Sequence, residues 1–469
     1  DEVIDEVYDL FIDLDATEEQ IEFPILYTNA KLGVAHRKLG DGSTDFQPLF
    51  ETILGAIPGP EGADGLPPQF LVTNLDYDSY VGQIAIGRLM NGVLELRQTY
   101  SLCGEHAVVP GIKFSAIYTF AGLKKVAVER VEAGDIVAFA GVANPAIGDT
   151  VSSLENPCPL PRIRVDEPTV SMLFFVNNGP MAGREGRYLT SRHLKDRLER
   201  EILRNVALRV KPTDRADCFE VCGRGELQMA ILIETMRREG HEFMVSKPQV
   251  ITRKEGERVL EPVERLFLDV PEEYVGVLTE KLAARKGRMI NLVNKGSGRV
   301  NVEFLIPSRG LIGFRSHFLT DTKGAGVMNA LFEGYEPWAG PIPQRVTGAL
   351  VADRPGRVTA YAAHAMADRG ELIVSPGTEV YGGMVVGERN RSVDMNVNIV
   401  KEKKLTNMRS STSDQTVILR PARPMSLDQC IEFIAEDELV EVTPESIRIR
   451  KRELDPNVRM ARYREEKYA

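Results

Sequence analysis

The chain has 469 residues, 43% hydrophobic and 27% charged, with 40 Gly and 27 Pro. That ordinary globular composition excludes collagen-like, low-complexity and largely disordered chains and predicts about three to five domains. The formal net charge of −10 is unevenly spread: residues 1–100 carry −13 and the rest +3, so the sum does not exclude a phosphate-rich partner.

No apolar stretch is long enough to span a bilayer, and the start, DEVIDEVYDLFIDLD, is acidic where a signal peptide is basic. Five scattered Cys, an odd number, argue against a disulfide framework and for a reducing compartment. The expectation is a soluble, cytoplasmic protein that keeps away from membranes.

In chain order, Val3, Ile4, Val7, Leu10, Phe11 and Leu14 fall at helical spacing. The first residues already read as helix, without initiator Met or cap, which predicts a piece of a longer chain. FPILYTNAKLG reads as a short buried strand and a polar turn, and FQPLFETILGAIP as an amphipathic helix. PGPEGADGLPP (58–68) is a linker. From 70 to about 155 the period becomes two. Six segments (FLVTNL, GQIAIGRLM, LELRQTYSL, FSAIYTF, KKVAVERV, DIVAFAGV) separated by Gly, Asn and Asp turns predict a small closed barrel.

Residues 168–250 and 262–336 share one plan of strand, helix, strand, strand, helix, strand, which is the ferredoxin-like split β-α-β. An Arg-Gly turn precedes the second helix in each, Gly223-Arg224-Gly225 and Ser308-Arg309-Gly310. Residues 341–469 hold β-rich pieces (GALVA, GRVTAYAA, EVYGGMVVGE, QTVILRP), a long polar loop, a helix (SLDQCIEFIAEDE) and a terminal strand (SIRIRKRELD). No known architecture follows from them.

Few of these residues suggest catalysis. Cys218 and Cys222 lie on one strand at a spacing unlike a metal knuckle and read as small core residues, so no metal site is expected. No G-x-S-x-G elbow and no G-x-x-x-x-G-K-[ST] loop occurs. Basic stretches remain. Residues 184–211 carry nine Arg and Lys against four acids, most simply a solvated amphipathic helix. MNVNIVKEKKLTNMRSSTS (395–413) gathers Lys401, Lys403, Lys404 and Arg409 with Asn407 and Ser410. It reads either as a linker or as a flexible arm that binds RNA phosphates without reading sequence.

The strings GQIAIGRLMNGVL and EAGDIVAFAG resemble the second domain of translational GTPases such as elongation factor G. VDEPTVSMLFFVN, GREGRYLTSR, SGRVNVEFLIPSRGLIGFRS, KKLTNMRSS and DELVEVTPESIRIRKR resemble the BipA/TypA family of ribosome-associated translational GTPases. The likeness runs in order along essentially the whole chain, and its last three strings are specific to that family.

The resemblance implies a multidomain α+β chain. It would comprise a remnant of an α/β GTPase domain (1–60), a β-barrel (66–165), two ferredoxin-like domains (166–252 and 258–340) and a β-rich C-terminal domain peculiar to the family (341–469). Asn29-Ala30-Lys31 would be the last guanine-recognition loop, with Asn29 where the family carries Ser. The P-loop, switches and N-K-x-D would precede Asp1. The parent would then bind GTP and Mg²⁺ and hydrolyse GTP, while this stretch alone would need no cofactor and be inactive.

The implied role is ribosome assembly and stress-linked translation control, as a monomer whose arm meets rRNA or the tRNA acceptor end. The competing reading is a non-enzymatic RNA-binding regulator without a nucleotide domain.

Overall fold

A computed structural model describes the chain except for residues 1, 15, 60–64, 79, 164–166, 295, 297, 343–344, 346, 403–418 and 462–469. The protein is multidomain and rich in sheet, and it divides into two compact units, 1–164 and 165–469.

In the first unit the opening helix is Glu2–Asp13, whose Tyr8 and Phe11 rings lie 5.5 and 5.3 Å from Phe23. The helix Gln47–Ala56 also forms as the spacing predicts. The strand expected to be buried is instead the three residues Tyr27–Asn29, half-exposed. It pairs with Val34–His36 as a two-stranded sheet, with no wider sheet extending it among the described residues.

The period-two region forms an eight-stranded antiparallel sheet. Its order is Val108–Ile112, Tyr100–Cys103, Thr150–Ser153, Gln69–Asp78, Gly82–Asn91, Ile136–Ala140, Ala116–Ala121, Lys124–Val128. The stretch LELRQTYSL breaks into Val93–Glu95 and Tyr100–Cys103, because Gln98 turns back to the Glu95 carbonyl. Val108–Ile112 is not legible as a strand because it contains Pro110 and Gly111, which an exposed edge tolerates. Alternate residues point inward: Phe139 lies 5.1 Å from Phe70 and 4.6 Å from Phe114, and Phe114 stacks on Tyr100.

In the second unit, strands Val170–Val176, Arg209–Pro212, Cys218–Gly223 and Phe243–Val245 have the order second, third, first, fourth. Helices Ser191–Arg204 and Glu226–Arg238 complete the split β-α-β plan. Residues 258–337 repeat it around the central strand Arg258–Pro271, flanked by Arg299–Pro307 and Val327–Pro337, with Arg288–Asn294 at the edge. Its second helix is broken into Ser308–Leu311 and Phe314–Asp321 by Gly313 at φ +73°, where a Cβ would stand 2.3 Å from Glu432 Cγ.

Apart from the short pair Gly356–Arg357 and Glu379–Val380, the C-terminal strands join a sheet begun upstream. Strand Glu438–Val442 pairs antiparallel with Phe243–Val245, then Ile447–Lys451, Met384–Arg389, Ala349–Ala352 and Met395–Val397 follow outward. The first split β-α-β motif and the C-terminal region therefore share one eleven-stranded sheet. Phe174, Phe243, Ile233, Ile431, Val440 and Ile449 share one core on one face. Leu350, Ala352, Val380 and Val386 bury against helix Ala360–Met366 on the other. That helix begins inside GRVTAYAA, expected as β, and runs past its end. Thr359 explains the change by capping it, its hydroxyl accepting the Ala362 N–H at 3.1 Å. QTVILRP lies largely outside the described residues.

Candidate nucleic-acid interface

The arm's root is built by core packing. Beyond Met395–Val397, Ile399 is buried and Val400 packs on the core beside helix Ala360–Met366. Val400 comes so close to Gly356, at φ +151°, that a Cβ there would meet Val400 Cγ1 at 2.9 Å. The Lys401 carbonyl then accepts the Thr359 hydroxyl at 2.5 Å, at the start of the helix. The returning chain is held at the other end, where Arg420 Nη1 donates to the Ala367 carbonyl at 3.1 Å. Arg423 N donates to Leu372 O at 2.9 Å. The excursion leaves and rejoins at the two ends of a seven-residue helix, about 10 Å apart.

Lys401 is exposed at this root. Lys403, Lys404, Asn407, Arg409 and Ser410 lie outside the described residues. The fold adds two cations that sequence reasoning did not connect with the arm. Arg357 and Arg184 approach the same Glu379 carboxylate at 3.5 and 3.3 Å, all three half or more exposed. Two guanidiniums on one carboxylate leave a surplus of positive charge beside Lys401. Residues 184, 357 and 401 are far apart in sequence, and no local signal could have joined them.

Three cations of the other basic stretch are neutralised on helix Ser191–Arg204. Arg192 pairs with Asp196 and Lys195 with Glu199, while the buried Arg197 binds Glu201 and Glu239. Burial lowers the His241 pKa to about 4, offset only in part by Glu239, so that ring stays neutral.

At the candidate guanine loop, Asn29 Oδ1 accepts the Leu32 N–H at 3.2 Å and closes the turn. Ala30 and Lys31 are exposed beside it.

Two sequence strings, GREGRYLTSR and DELVEVTPESIRIRKR, meet in space. The alternation of Ile447 and Ile449 with Arg448 and Arg450 suggests one solvated face, yet that face is covered. Arg448 pairs with Glu185 and, at 3.3 Å, with the fully buried Glu441. Glu441 also accepts Tyr381 Oη at 2.6 Å and Asn177 Nδ2 at 3.0 Å. Burial and the adjacent Glu441 carboxylate push the Tyr381 phenol up. A second cluster holds Lys451 between Asp394, Asp437 and Glu438 at 2.5, 2.8 and 2.9 Å, with Arg345 bidentate on Glu438. These ion pairs fasten the hairpin that carries the arm's platform.

Comparison with known protein families places modules on this frame. Residues 67–154 match elongation factor G domain 2, and residues 258–346 match the elongation factor G C-terminus. The chain is thus assembled from modules of the translation-factor class. Residues 347–456, which extend the sheet and carry the arm, match the TypA/BipA C-terminal domain.

A Bacillus subtilis (strain 168) protein named "Large ribosomal subunit assembly factor BipA" is 47% identical over 460 residues, 98% of this chain and 75% of the relative. Proteins of the same name from Synechocystis and Salmonella typhimurium are each 46% identical. They align over 96% and 98% of this chain and 75% and 76% of their own lengths. The chain belongs to the BipA (TypA) family.

Proposed function

We propose that this chain is the ribosome-binding portion of a GTP-hydrolysing factor for assembly of the large ribosomal subunit, and that its C-terminal arm is the part that meets RNA. The name of its relatives supports the first half. The observation that carries the second is the arm's root, where Lys401 stands beside two arginines that share Glu379 on a rigid, core-packed platform. Lys401, Lys403 and Lys404 fall within four residues, roughly 10 Å of extended chain. Packed that closely they repel one another unless water or phosphate compensates.

Asn407 and Ser410 add sequence-independent hydrogen bonds, and Arg409 a further phosphate contact. The target is rRNA or the acceptor end of a tRNA. GTP and Mg²⁺ belong to the parent's P-loop and switches, with Asn29, Ala30 and Lys31 contributing only to the guanine edge. We place the factor in the cytoplasm, acting as a monomer in stress-linked control of translation.

The test is co-sedimentation with large ribosomal subunits across a salt series, for the wild type and a variant with Lys401, Lys403, Lys404 and Arg409 changed to Ala. The variant should bind more weakly, with its log–log salt slope reduced by roughly 0.7 for each phosphate of single-stranded RNA that it no longer neutralises. Unaltered affinity and slope would make the segment a linker.

A further inference from the structure

A cavity of about 850 Å³ opens in the second unit, where both chain crossings between the 258–337 motif and the large sheet pass. Residues 247–252 cross on one side, and Trp338, Ile342 and Arg345 on the other. Its size lies within the ~300–1,000 Å³ of small-molecule sites. Five basic side chains reach its wall, Lys247, Arg285, Arg309, Arg345 and Arg423, against three carboxylates, Glu388, Glu432 and Glu436.

The five are not equivalent. Arg309 is bound to the fully buried Glu261 and lies over the Trp338 ring at 3.8 Å. Arg345 is bound to the fully buried Glu438 and lies over Phe433 at 4.2 Å. Both charges are matched from behind, so what these residues add to the wall is two flat aromatic–guanidinium stacks. Planar guanidinium and indole surfaces are what a nucleic-acid base stacks on.

Arg285 is arranged differently. Its Nη1 donates to the carbonyls of Gly310 and Ile312, each at 3.0 Å, and to no carboxylate among the described residues. Burial pulls its pKa down, and Glu432 and Glu226 offset this only partly. Lys247 is likewise lowered, first by burial, with Glu436 and Glu438 opposing the shift and Arg345 adding to it. Lys247 stands on the same wall, and an anion entering the cavity would meet an Arg285 that donates only to carbonyls among the described residues.

We propose that this cavity binds a nucleoside phosphate, its base against the Arg309–Trp338 or Arg345–Phe433 stack and its phosphate at Lys247 and Arg285. The ligand is either a free mononucleotide or an unpaired nucleotide of an RNA strand. The inference goes beyond the proposed function and does not depend on the arm.

Trp338 is the chain's only Trp, so intrinsic fluorescence reports directly on the site. The full chain is titrated with AMP, GMP, a short single-stranded RNA and inorganic phosphate, and each titration is repeated by calorimetry. A saturable change with a mononucleotide, at least tenfold tighter than with phosphate, supports a free ligand. The same with the RNA alone supports the strand as the source. Two variants locate the site: Thr320→Phe, at an exposed helix position on the cavity wall, should weaken binding at least tenfold, and Lys247→Gln several-fold. Equal affinity for phosphate and nucleotide, no saturable change with any probe, or unaltered binding in both variants overturns the proposal.

Discussion

Glu226 offers a test in which sign and size both follow from structure. It opens helix Glu226–Arg238, and its Oε2 accepts the Gly313 N–H at 2.8 Å, joining the 258–337 motif to the large sheet. Burial raises its pKa to about 7. The Gly313 hydrogen bond opposes the rise, the nearby Glu432 and Asp428 add to it, and Arg285 opposes it weakly. A carboxyl whose folded pKa lies above its unfolded value holds a proton that the unfolded chain has lost. Its contribution is therefore fully present below about pH 4.5 and disappears as pH rises through about 7. At ~1.4 kcal/mol per pH unit, that window costs the folded unit about 3 kcal/mol.

Glu226→Gln keeps an oxygen for Gly313 and removes the titration. With ~2.1 cal/mol/K per residue over roughly 300 residues, 3 kcal/mol amounts to about 5 °C in Tm. Calorimetric melts of both proteins at pH 4.5, 6 and 8 should coincide at the lowest pH and separate upward, the variant ending about 5 °C higher. Other titrating groups act equally on both proteins, so the difference isolates this one. A variant that melts at or below wild type at pH 8 would refute the reasoning.

Lys451→Met leaves the fully buried Glu438 with Arg345 alone. It should cost about 3 kcal/mol by urea unfolding, less than a wholly buried pair because Asp394 and Asp437 can rehydrate. Gly313→Ala forces a Cβ at φ +73° into Glu432, which holds His317 at 2.9 Å. A loss of about 2–3 kcal/mol is expected, and urea unfolding unchanged within about 0.5 kcal/mol would contradict it. In hydrogen exchange, helix Glu2–Asp13, with Val3, Leu10 and Ile12 more than half exposed, should exchange faster than the strand around Leu266 and Leu268. Equal protection would show that the helix has a buried partner.

Periodicity was enough to read the two split β-α-β motifs, because their strands and helices bury alternate residues or one stripe against a neighbour close in sequence. Leu266, Leu268 and Val270 alternate inward whatever lies beyond residue 337. The arm's basic composition is equally local, and so is the turn at Asn29.

What sequence could not disclose are pairings whose partners lie far apart along the chain. The joining of Phe243–Val245 to Glu438–Val442 turns two apparent domains into one sheet. It places Arg448 and Arg450, which alternate with isoleucine as a solvated face would, against Glu185 and Glu441 and against Asn178 and Met244 respectively. The same long-range closure brings Arg184 and Arg357 to one carboxylate beside Lys401 and sets Arg309 over Trp338. Local pattern determines which residues want burial. Only tertiary packing decides what covers them, because a buried charge is tolerable solely where the fold delivers its partner.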